Sequence, residues 1–266
     1  LGRSKITGSD LRTTAALSEL EKQGSKVFSG HKKEHVKNAD VIVFSSAITS
    51  TNIERKNAKK QKLPQLSRGT CLAQYMAPYD RKIVVAGTHG KTSTTAMIAW
   101  IFKHAGKDVG YLIAGKPNNF EVSSRLGTEE VFVIEADEYD TAFFDKRAKF
   151  IHYHPDILVL NNIEFDHADI YSDLSQILKQ FHHLIRTLPT DASIIFPETD
   201  NNIKTLFELG CWSQKIGFSC DKDSNNYYRA LTEDFSSSQI VSGEKVGTLN
   251  WSMLGEHNAM NAMSAI

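Results

Sequence analysis

The chain has 266 residues, more than one average domain, which favours two folded units. Lysine plus arginine and aspartate plus glutamate each total 31, a balance that argues against a nucleic-acid or membrane-surface partner and favours a ligand bound in a cleft. The sequence shows neither an apolar run of about 18 residues nor an export signal, and its cysteines lack metal-ligand spacing. These features favour a cytoplasmic protein without a disulfide scaffold.

Residues 1–77 alternate between segments typical of strands and segments typical of helices. The predicted strands are residues 5–7, 26–28 and 41–45, and the predicted helices are residues 11–23, 52–62 and 68–75. The alternation implies a parallel sheet with helices on its faces. The segment "MAPYD" interrupts the pattern, so we place a domain boundary at residue 77.

A second series of strands and helices begins at Arg81 and gives the chain its second predicted domain, residues 78–266. The predicted strands are residues 82–86, 109–113, 131–134, 157–160 and 193–196, and the predicted helices are residues 93–105, 174–188 and 258–266. These strands are apolar throughout, which is typical of a parallel sheet buried on both faces. After Cys211 the segments become short and rich in turn residues, and residues 246–253 predict a hairpin addition.

The segment "KIVVAGTHGKTSTTAMIAWIF" places an apolar strand, a glycine turn, a lysine, hydroxyl residues and an apolar helix in succession. Gly87 and Gly90 permit a tight loop whose N–H groups face inward, beside a helix N-terminus that favours anions. Lys91 is placed to reach β- and γ-phosphates, and the Thr92 hydroxyl is placed to ligate magnesium. Val85 stands where the common phosphate-loop motif has its first glycine, so a purely structural turn stays open as an alternative.

Two apolar strands are followed by side chains suited to a magnesium ion. The segment "VFVIEADEYD" supplies Glu135, Asp137 and Glu138, and the segment "ILVLNNIEFDHADI" supplies Asn162, Glu164, Asp166 and His167. The ends of the strands in an α/β sheet face the ligand, and carboxylate oxygens beside phosphates suit a hard cation. We therefore predict that Glu135, taken as the first residue after its strand, ligates magnesium and that His167 contacts a metal or the reacting phosphate.

Four other histidines have no assigned role at this point. His152 and His154 share a face if the chain is extended there, and His182 and His183 lie in an apolar predicted helix. Each pair either lines a pocket or packs in the interior, and the sequence leaves both alternatives open.

Four segments together resemble the Mur ligase family of cell-wall peptide synthetases. They are "GTHGKTSTT", "EADEYD", "NNIEFDH" and "GEHNAMNA", and they occur in the order typical of the family. The resemblance covers most of residues 81–266 and implies an α/β fold with a Rossmann-like, UDP-sugar-binding first domain, truncated at its start. The implied second domain is a P-loop-type ATPase domain with a mainly parallel sheet, and the family's C-terminal domain is expected to lie outside this chain.

The resemblance also assigns roles to individual residues. It implies ATP and Mg²⁺ as cofactors, with ATP held by Gly87, Thr88, His89, Gly90, Lys91, Thr92 and Ser93. The implied magnesium ligands are Thr92, Glu135 and His167, and the implied catalytic residues are Lys91 and His167. The implied adenine contacts are His257, Asn258 and Asn261.

The reaction implied by the resemblance joins UDP-N-acetylmuramate to a peptide or amino-acid acceptor through an acyl phosphate. The segment "EADEYDTAFFDKRAKFIHYHP" resembles members that attach the tripeptide L-alanyl-γ-D-glutamyl-meso-diaminopimelate in cell-wall recycling. The segments "GSDLR" and "VIVFSSAITSTN" resemble members that attach L-alanine, which is the alternative acceptor. Residues 1–77 argue against a folylpolyglutamate synthetase, and a non-catalytic nucleotide-binding regulatory module is the alternative of another class.

Overall fold

The computed structural model describes residues 5–12, 14–45, 47–136, 140–142, 145–148, 152–166, 171 and 173–266. The chain divides into two compact units, Leu1–Cys71 with Asp140–Lys146, and Leu72–Tyr139 with Arg147–Ile266. These units are defined by their contacts, and the domain boundary at residue 77 stays a prediction.

The first unit contains two pairs of parallel strands with helices between them. Its elements are β1 (Thr7–Asp10), α1 (Ala15–Lys22), β2 (Lys26–Ser29), a 3₁₀ turn (Lys33–Val36), β3 (Ile42–Phe44), α2 (Ile53–Lys60), β4 (Gln65–Ser67) and the start of α3 (Arg68–Met76). Strand β1 pairs with β2 and strand β3 with β4, both in parallel, as the alternation predicts. Helix α2 begins after Asn52, whose side chain accepts hydrogen bonds from the next turn, so residue 52 is a cap rather than a helical residue.

The rest of the chain contributes a longer series of elements. In chain order these are β5 (Arg81–Ala86), α4 (Lys91–His104), β6 (Gly110–Leu112), β7 (Ser124–Arg125), β8 (Val131–Glu135), β9 (Asp140–Ala142), β10 (Asp145–Ala148), β11 (Ile157–Leu160), α5 (Leu174–Ile185), β12 (Ser193–Pro197), α6 (Asn201–Glu208), β13 (Gln214–Phe218), β14 (Asn226–Ala230), β15 (Ser237–Ser242), β16 (Lys245–Asn250) and α7 (Glu256–Ala265). Strands β9 and β10 form a two-stranded sheet.

The core of the second unit is a seven-stranded sheet in the order β13-β12-β11-β5-β8-β6-β7. All neighbouring strands are parallel except β6 and β7. This confirms the predicted α/β fold with a mainly parallel sheet. Val84 and Ile134 on one face and Val85 and Val133 on the other are each 0% exposed, because apolar layers cover both faces of the central strands. Strands β8 and β11 flank β5, so the segments that follow these three strands lie at one edge of the sheet.

The second unit departs from the sequence prediction after residue 200. Helix α6 and strand β13 add another parallel unit to the sheet, where a hairpin alone was predicted beyond Cys211. The predicted hairpin is present as the antiparallel sheet β14-β15-β16. Helix α7 packs against α4 and follows Gly255. Within the described parts of the chain, every helix is too short or too polar to cross a membrane.

Candidate nucleotide-phosphate site

The loop between β5 and α4 depends on two glycines. Gly87 has a φ of 133° and Gly90 a φ of 79°, values that side-chain-bearing residues rarely adopt. A Cβ added at Gly87 would lie 2.9 Å from the carbonyl oxygen of Asn162, and one at Gly90 would lie 2.3 Å from Oδ1 of Asn261. Both conformation and space therefore require glycine at these positions, as the sequence predicts.

Helix α4 begins at Lys91, two residues before the predicted start at residue 93. Its N-cap is Gly90, which has no side chain to accept hydrogen bonds from the first helical N–H groups. Such groups carry the positive end of the helix dipole and are satisfied by a bound anion. Thr88 and His89 form the loop itself, and Ser93 lies half-buried in the first turn of α4.

The Lys91 ammonium group lies over the loop. Its Nζ donates to the carbonyl oxygen of Gly87 at 2.7 Å and to that of Thr88 at 3.3 Å. The charge is therefore held beside the backbone groups that would surround a phosphate, which is where the proposed role requires it.

The Thr92 hydroxyl and the Glu135 carboxylate are in direct contact. Thr92 Oγ1 donates to Glu135 Oε2 at 2.6 Å, and Glu135 Oε1 accepts from the backbone N–H of Ala114. Glu135 is only 9% exposed. It is the last residue of β8, paired with Val85, and the prediction that it follows the strand is wrong because the pairing with β5 extends one residue further. Two hard oxygens side by side at a phosphate loop suit Mg²⁺.

Asn161, which was not predicted as a site residue, hydrogen-bonds to both the loop and helix α4. Its Nδ2 donates to Thr94 Oγ1 at 2.9 Å and to the carbonyl oxygen of His89 at 3.3 Å. Its Oδ1 is buried and has no hydrogen-bond partner in the part of the chain that the structure describes. A buried acceptor without a partner indicates a position for a ligand donor or an ordered water. The only signal in the sequence is an amide placed directly after an apolar strand.

Asn162 and Glu164, which follow Asn161 in the same segment, also hydrogen-bond to the loop. Asn162 Oδ1 accepts from the backbone N–H of His89 at 2.7 Å, and its carbonyl oxygen accepts from that of Thr88 at 3.1 Å. Thr88 Oγ1 and the backbone of Glu164 exchange two hydrogen bonds. The exposed ring of His89 lies 3.8 Å from the Glu164 carboxylate.

Helix α7 brings one of its three predicted residues to the loop. Asn261 is buried, and its Oδ1 lies 3.4 Å from Asn161 Nδ2. Asn258 instead donates to the carbonyl oxygen of Leu254 at 2.8 Å, and His257 packs against Gly255. The described contacts of these two residues therefore lie at the start of their own helix.

Other predicted residues fall elsewhere. Asp137, Glu138 and His167 lie outside the described residues, and their roles stay predictions. The extended conformation considered for His152 and His154 is absent from residues 152–154, because His152 lies in a helical turn and His154 has a φ of 45°. His182 and His183 are half-buried on α5, where desolvation and then the charges of Lys179, His182 and Arg186 lower the pKa of His183.

A central parallel strand, a two-glycine loop, a lysine over that loop and a Thr–Glu pair together define a P-loop-type nucleotide-binding domain. The Mur ligase middle domain model matches residues 85–266, and the model of the Mur ligase family, catalytic domain, matches residues 4–80. The chain belongs to the Mur ligase family, whose members use ATP.

Three relatives show how similar the chain is to other members of the family. It is 43% identical, over 98% of its length, to the UDP-N-acetylmuramate–L-alanyl-γ-D-glutamyl-meso-2,6-diaminoheptandioate ligase of Escherichia coli (strain K12). It is 32% identical, over 98% of its length, to the UDP-N-acetylmuramate–L-alanine ligase of Acetivibrio thermocellus. The crystal structure of the tripeptide ligase from Neisseria meningitides matches with a TM-score of 0.89 at 36% identity, covering 98% of this chain and 83% of that one. The chain spans 58% of the Escherichia coli relative and 55% of the Acetivibrio relative.

Proposed function

We propose that this chain provides the UDP-sugar-binding and ATP-binding parts of a ligase that joins UDP-N-acetylmuramate to L-alanyl-γ-D-glutamyl-meso-diaminopimelate in cell-wall peptide recycling. The observation that carries the proposal is the 2.6 Å contact of Thr92 with Glu135 beside the glycine loop. A hydroxyl and a carboxylate in contact beside the glycine loop would suit Mg²⁺ next to a bound phosphate, and a purely structural turn would not need them. The higher identity to the tripeptide ligase than to the L-alanine ligase supports this acceptor.

The residues of the site fit a nucleotide with its cation. The N–H groups of the loop and Lys91 would hold the phosphates, and Thr92 and Glu135 would hold Mg²⁺. His167, which lies outside the described residues, stays a predicted further ligand. Asn261 is best placed of the α7 residues to reach the nucleotide, since it already contacts Asn161. Bound magnesium supplies charge neutralisation and phosphate alignment.

The proposed chemistry has two steps. A carboxylate oxygen of UDP-N-acetylmuramate forms a bond to the γ-phosphorus of ATP, and the bond from that phosphorus to ADP breaks. The amino nitrogen of the acceptor then bonds to the acyl carbon, inorganic phosphate leaves, and a proton is released as the amide forms. Lys91 offsets the repulsion between the two anions brought together in the first step, which is the main demand of phosphoryl transfer.

Two alternatives remain distinct from this proposal. L-alanine as the acceptor is favoured by the segments "GSDLR" and "VIVFSSAITSTN" and by the 32% identity to an L-alanine ligase. A nucleotide-binding module without chemistry would share the loop but would need no second substrate.

The test measures phosphate release from ATP by the full-length gene product, with Mg²⁺ and every combination of UDP-N-acetylmuramate, tripeptide and L-alanine. We expect release to require ATP, UDP-N-acetylmuramate and the tripeptide together. Release that needs L-alanine instead would establish the alternative acceptor. Nucleotide binding without release in any combination would contradict the ligase proposal.

A further inference from the structure

The start of helix α6 is bonded to the segment that braces the phosphate loop. Asp200 Oδ2 accepts from the backbone N–H of Ile163 at 3.0 Å, and Asn202 Nδ2 donates to the carbonyl oxygen of Ile163 at 2.6 Å. Both polar backbone groups of Ile163, a residue that is 0% exposed, are thus satisfied from α6. The position of this buried residue is therefore set by a helix that follows it by nearly 40 residues.

Ile163 lies within a four-residue bridge, residues 161–164, whose other members hold the loop. On one side of Ile163, Asn161 and Asn162 bond to His89. On the other side, Glu164 exchanges two backbone–hydroxyl hydrogen bonds with Thr88. A shift of Ile163 would therefore disturb the hydrogen bonds that its neighbours on both sides make to the loop.

The two carboxylate oxygens of Asp200 accept hydrogen bonds from different parts of the chain. Oδ1 caps α6 by accepting from the backbone N–H groups of Asn202 and Ile203, at 2.8 and 3.0 Å. Capping alone is an ordinary stabilising role. The hydrogen bond from the Ile163 N–H to Oδ2 is not part of the cap. It joins α6 to another segment and satisfies none of the helix's own N–H groups. The two roles are separable by substitution, since they use separate atoms.

We propose that Asp200 and Asn202 are positioning residues for ATP: they hold the 161–164 bridge, and the bridge holds Thr88 and His89 in the conformation that receives phosphates. This inference rests on the proposed function, because it takes the loop to be a nucleotide site. At metal sites, outer residues that orient the ligands set geometry without touching the metal, and their loss typically costs 10- to 100-fold in affinity or activity. We expect an effect of that order here.

The experiment separates positioning from capping with three variants. Asp200→Ser keeps one oxygen as a good helix cap and removes Oδ2, the acceptor of the Ile163 N–H. Asn202→Ala removes the donor to the Ile163 carbonyl and places a good helix former in the helix. Asn201→Ala, in the same turn and exposed, is the matched control.

MgATP affinity by calorimetric titration and thermal unfolding are measured for each variant and the parent. We expect Asp200→Ser and Asn202→Ala to weaken MgATP binding about tenfold, while Asn201→Ala binds like the parent. Asp200→Ser should keep the helix cap but leave the buried Ile163 N–H without its acceptor, so we expect a lower melting temperature together with the weaker binding.

Parental affinity in both Asp200→Ser and Asn202→Ala would overturn the positioning role and leave the nucleotide site standing. A lowered melting temperature with unchanged MgATP affinity would show that both residues only stabilise the fold. That result would also overturn the positioning role and leave the nucleotide site standing. A parent that binds no MgATP would overturn the nucleotide site and the positioning role together.

Discussion

Lys91 is the residue on which the proposed phosphate site depends most directly. Its ammonium group lies over the loop through bonds to two loop carbonyls rather than in an apolar core. We expect Lys91→Ala to lower ligation by about 10³-fold, as removal of a main phosphate-neutralising cation does, with the melting temperature nearly unchanged. Lys222→Ala, an exposed lysine of the same unit, is the control. Ligation by Lys91→Ala within about tenfold of the parent would contradict the loop assignment.

Glu135 is expected to set the magnesium requirement. Glu135→Gln keeps the size of the side chain and an oxygen for the Ala114 N–H but loses the charge that attracts a hard cation. The magnesium concentration for half-maximal activity should rise severalfold. Glu130→Gln, on an exposed residue just before the same strand, should leave it unchanged. Superimposable magnesium titrations of Glu135→Gln and the parent would transfer the metal role to Asp137 or Glu138.

The sequence predicts those single residues that belong to a recognisable local pattern. Gly87, Gly90 and Thr92 are predicted members of the site because strand, glycine turn and helix follow one another in the chain. Asp200 and Asn202 are not predicted from the sequence, because their hydrogen bonds go to the backbone of a distant segment and leave no spacing pattern. The role of His167 stays a prediction.

At the scale of elements, the two ends of helix α4 offer a matched comparison of two glycines. Gly90 and Gly106 stand at opposite ends of α4 with φ values of 79° and 75°. A Cβ at Gly90 would meet Asn261 and Asn161, whereas one at Gly106 would meet nothing within 4 Å. Alanine at either position should cost about 1–2 kcal/mol of stability through its backbone conformation.

Only Gly90→Ala should also displace the amides that surround the loop, and we expect it to weaken MgATP binding more than tenfold, a 1.4 kcal/mol effect or greater. Titration and thermal unfolding of both variants check this. Equal MgATP affinity in Gly90→Ala and Gly106→Ala would show that the contact with Asn161 and Asn261 has no part in nucleotide binding.

The first unit has a buried carboxylate that joins three of its elements. Glu54 on α2 accepts from Ser9 of β1 at 2.7 Å and contacts His35 of the 3₁₀ turn at 2.7 Å and His31, which follows β2, at 3.0 Å. Burial raises the pKa of Glu54, but the hydrogen bonds from Ser9, His35, His31 and the Lys32 N–H outweigh it and leave the pKa below its ordinary value. The charged form is therefore the one that the fold stabilises.

This lowered pKa fixes the sign of a pH effect. The contribution of Glu54 to stability is complete above its unfolded-state pKa and is lost as the pH falls through its lower folded-state pKa. The melting-temperature difference between the parent and Glu54→Gln should therefore shrink as the pH falls from above the unfolded-state pKa through the lower folded-state pKa. Glu34→Gln, on an exposed residue of the 3₁₀ turn, serves as control. A difference that stays constant over this range would contradict a stabilising charge at Glu54.

For the whole molecule, apolar periodicity predicts the central sheet well and its edge poorly. Strands β5, β8 and β11 are buried on both faces, and their apolar runs identify them in the sequence. Strand β13 lies at the edge of the sheet, and Gln214, Lys215 and Ile216 are exposed, so no apolar run marks it. Helix α6 has only eight residues, close to the lower limit for recognition by pattern.

The choice of acceptor is a property of the whole protein. Three cationic residues lie in the sequence between Glu135 and His167, the two predicted metal ligands: Lys146, Arg147 and Lys149. Cations in this segment would favour an acceptor with several carboxylates over L-alanine, which has one. We expect the full-length gene product to show a higher kcat/KM for L-alanyl-γ-D-glutamyl-meso-diaminopimelate than for L-alanine at fixed ATP and UDP-N-acetylmuramate. Arg147→Ala should lower the tripeptide value more than the L-alanine value, and raising the salt concentration should reduce that difference through screening. A clear advantage for L-alanine would refute the recycling assignment while leaving the ligase mechanism intact.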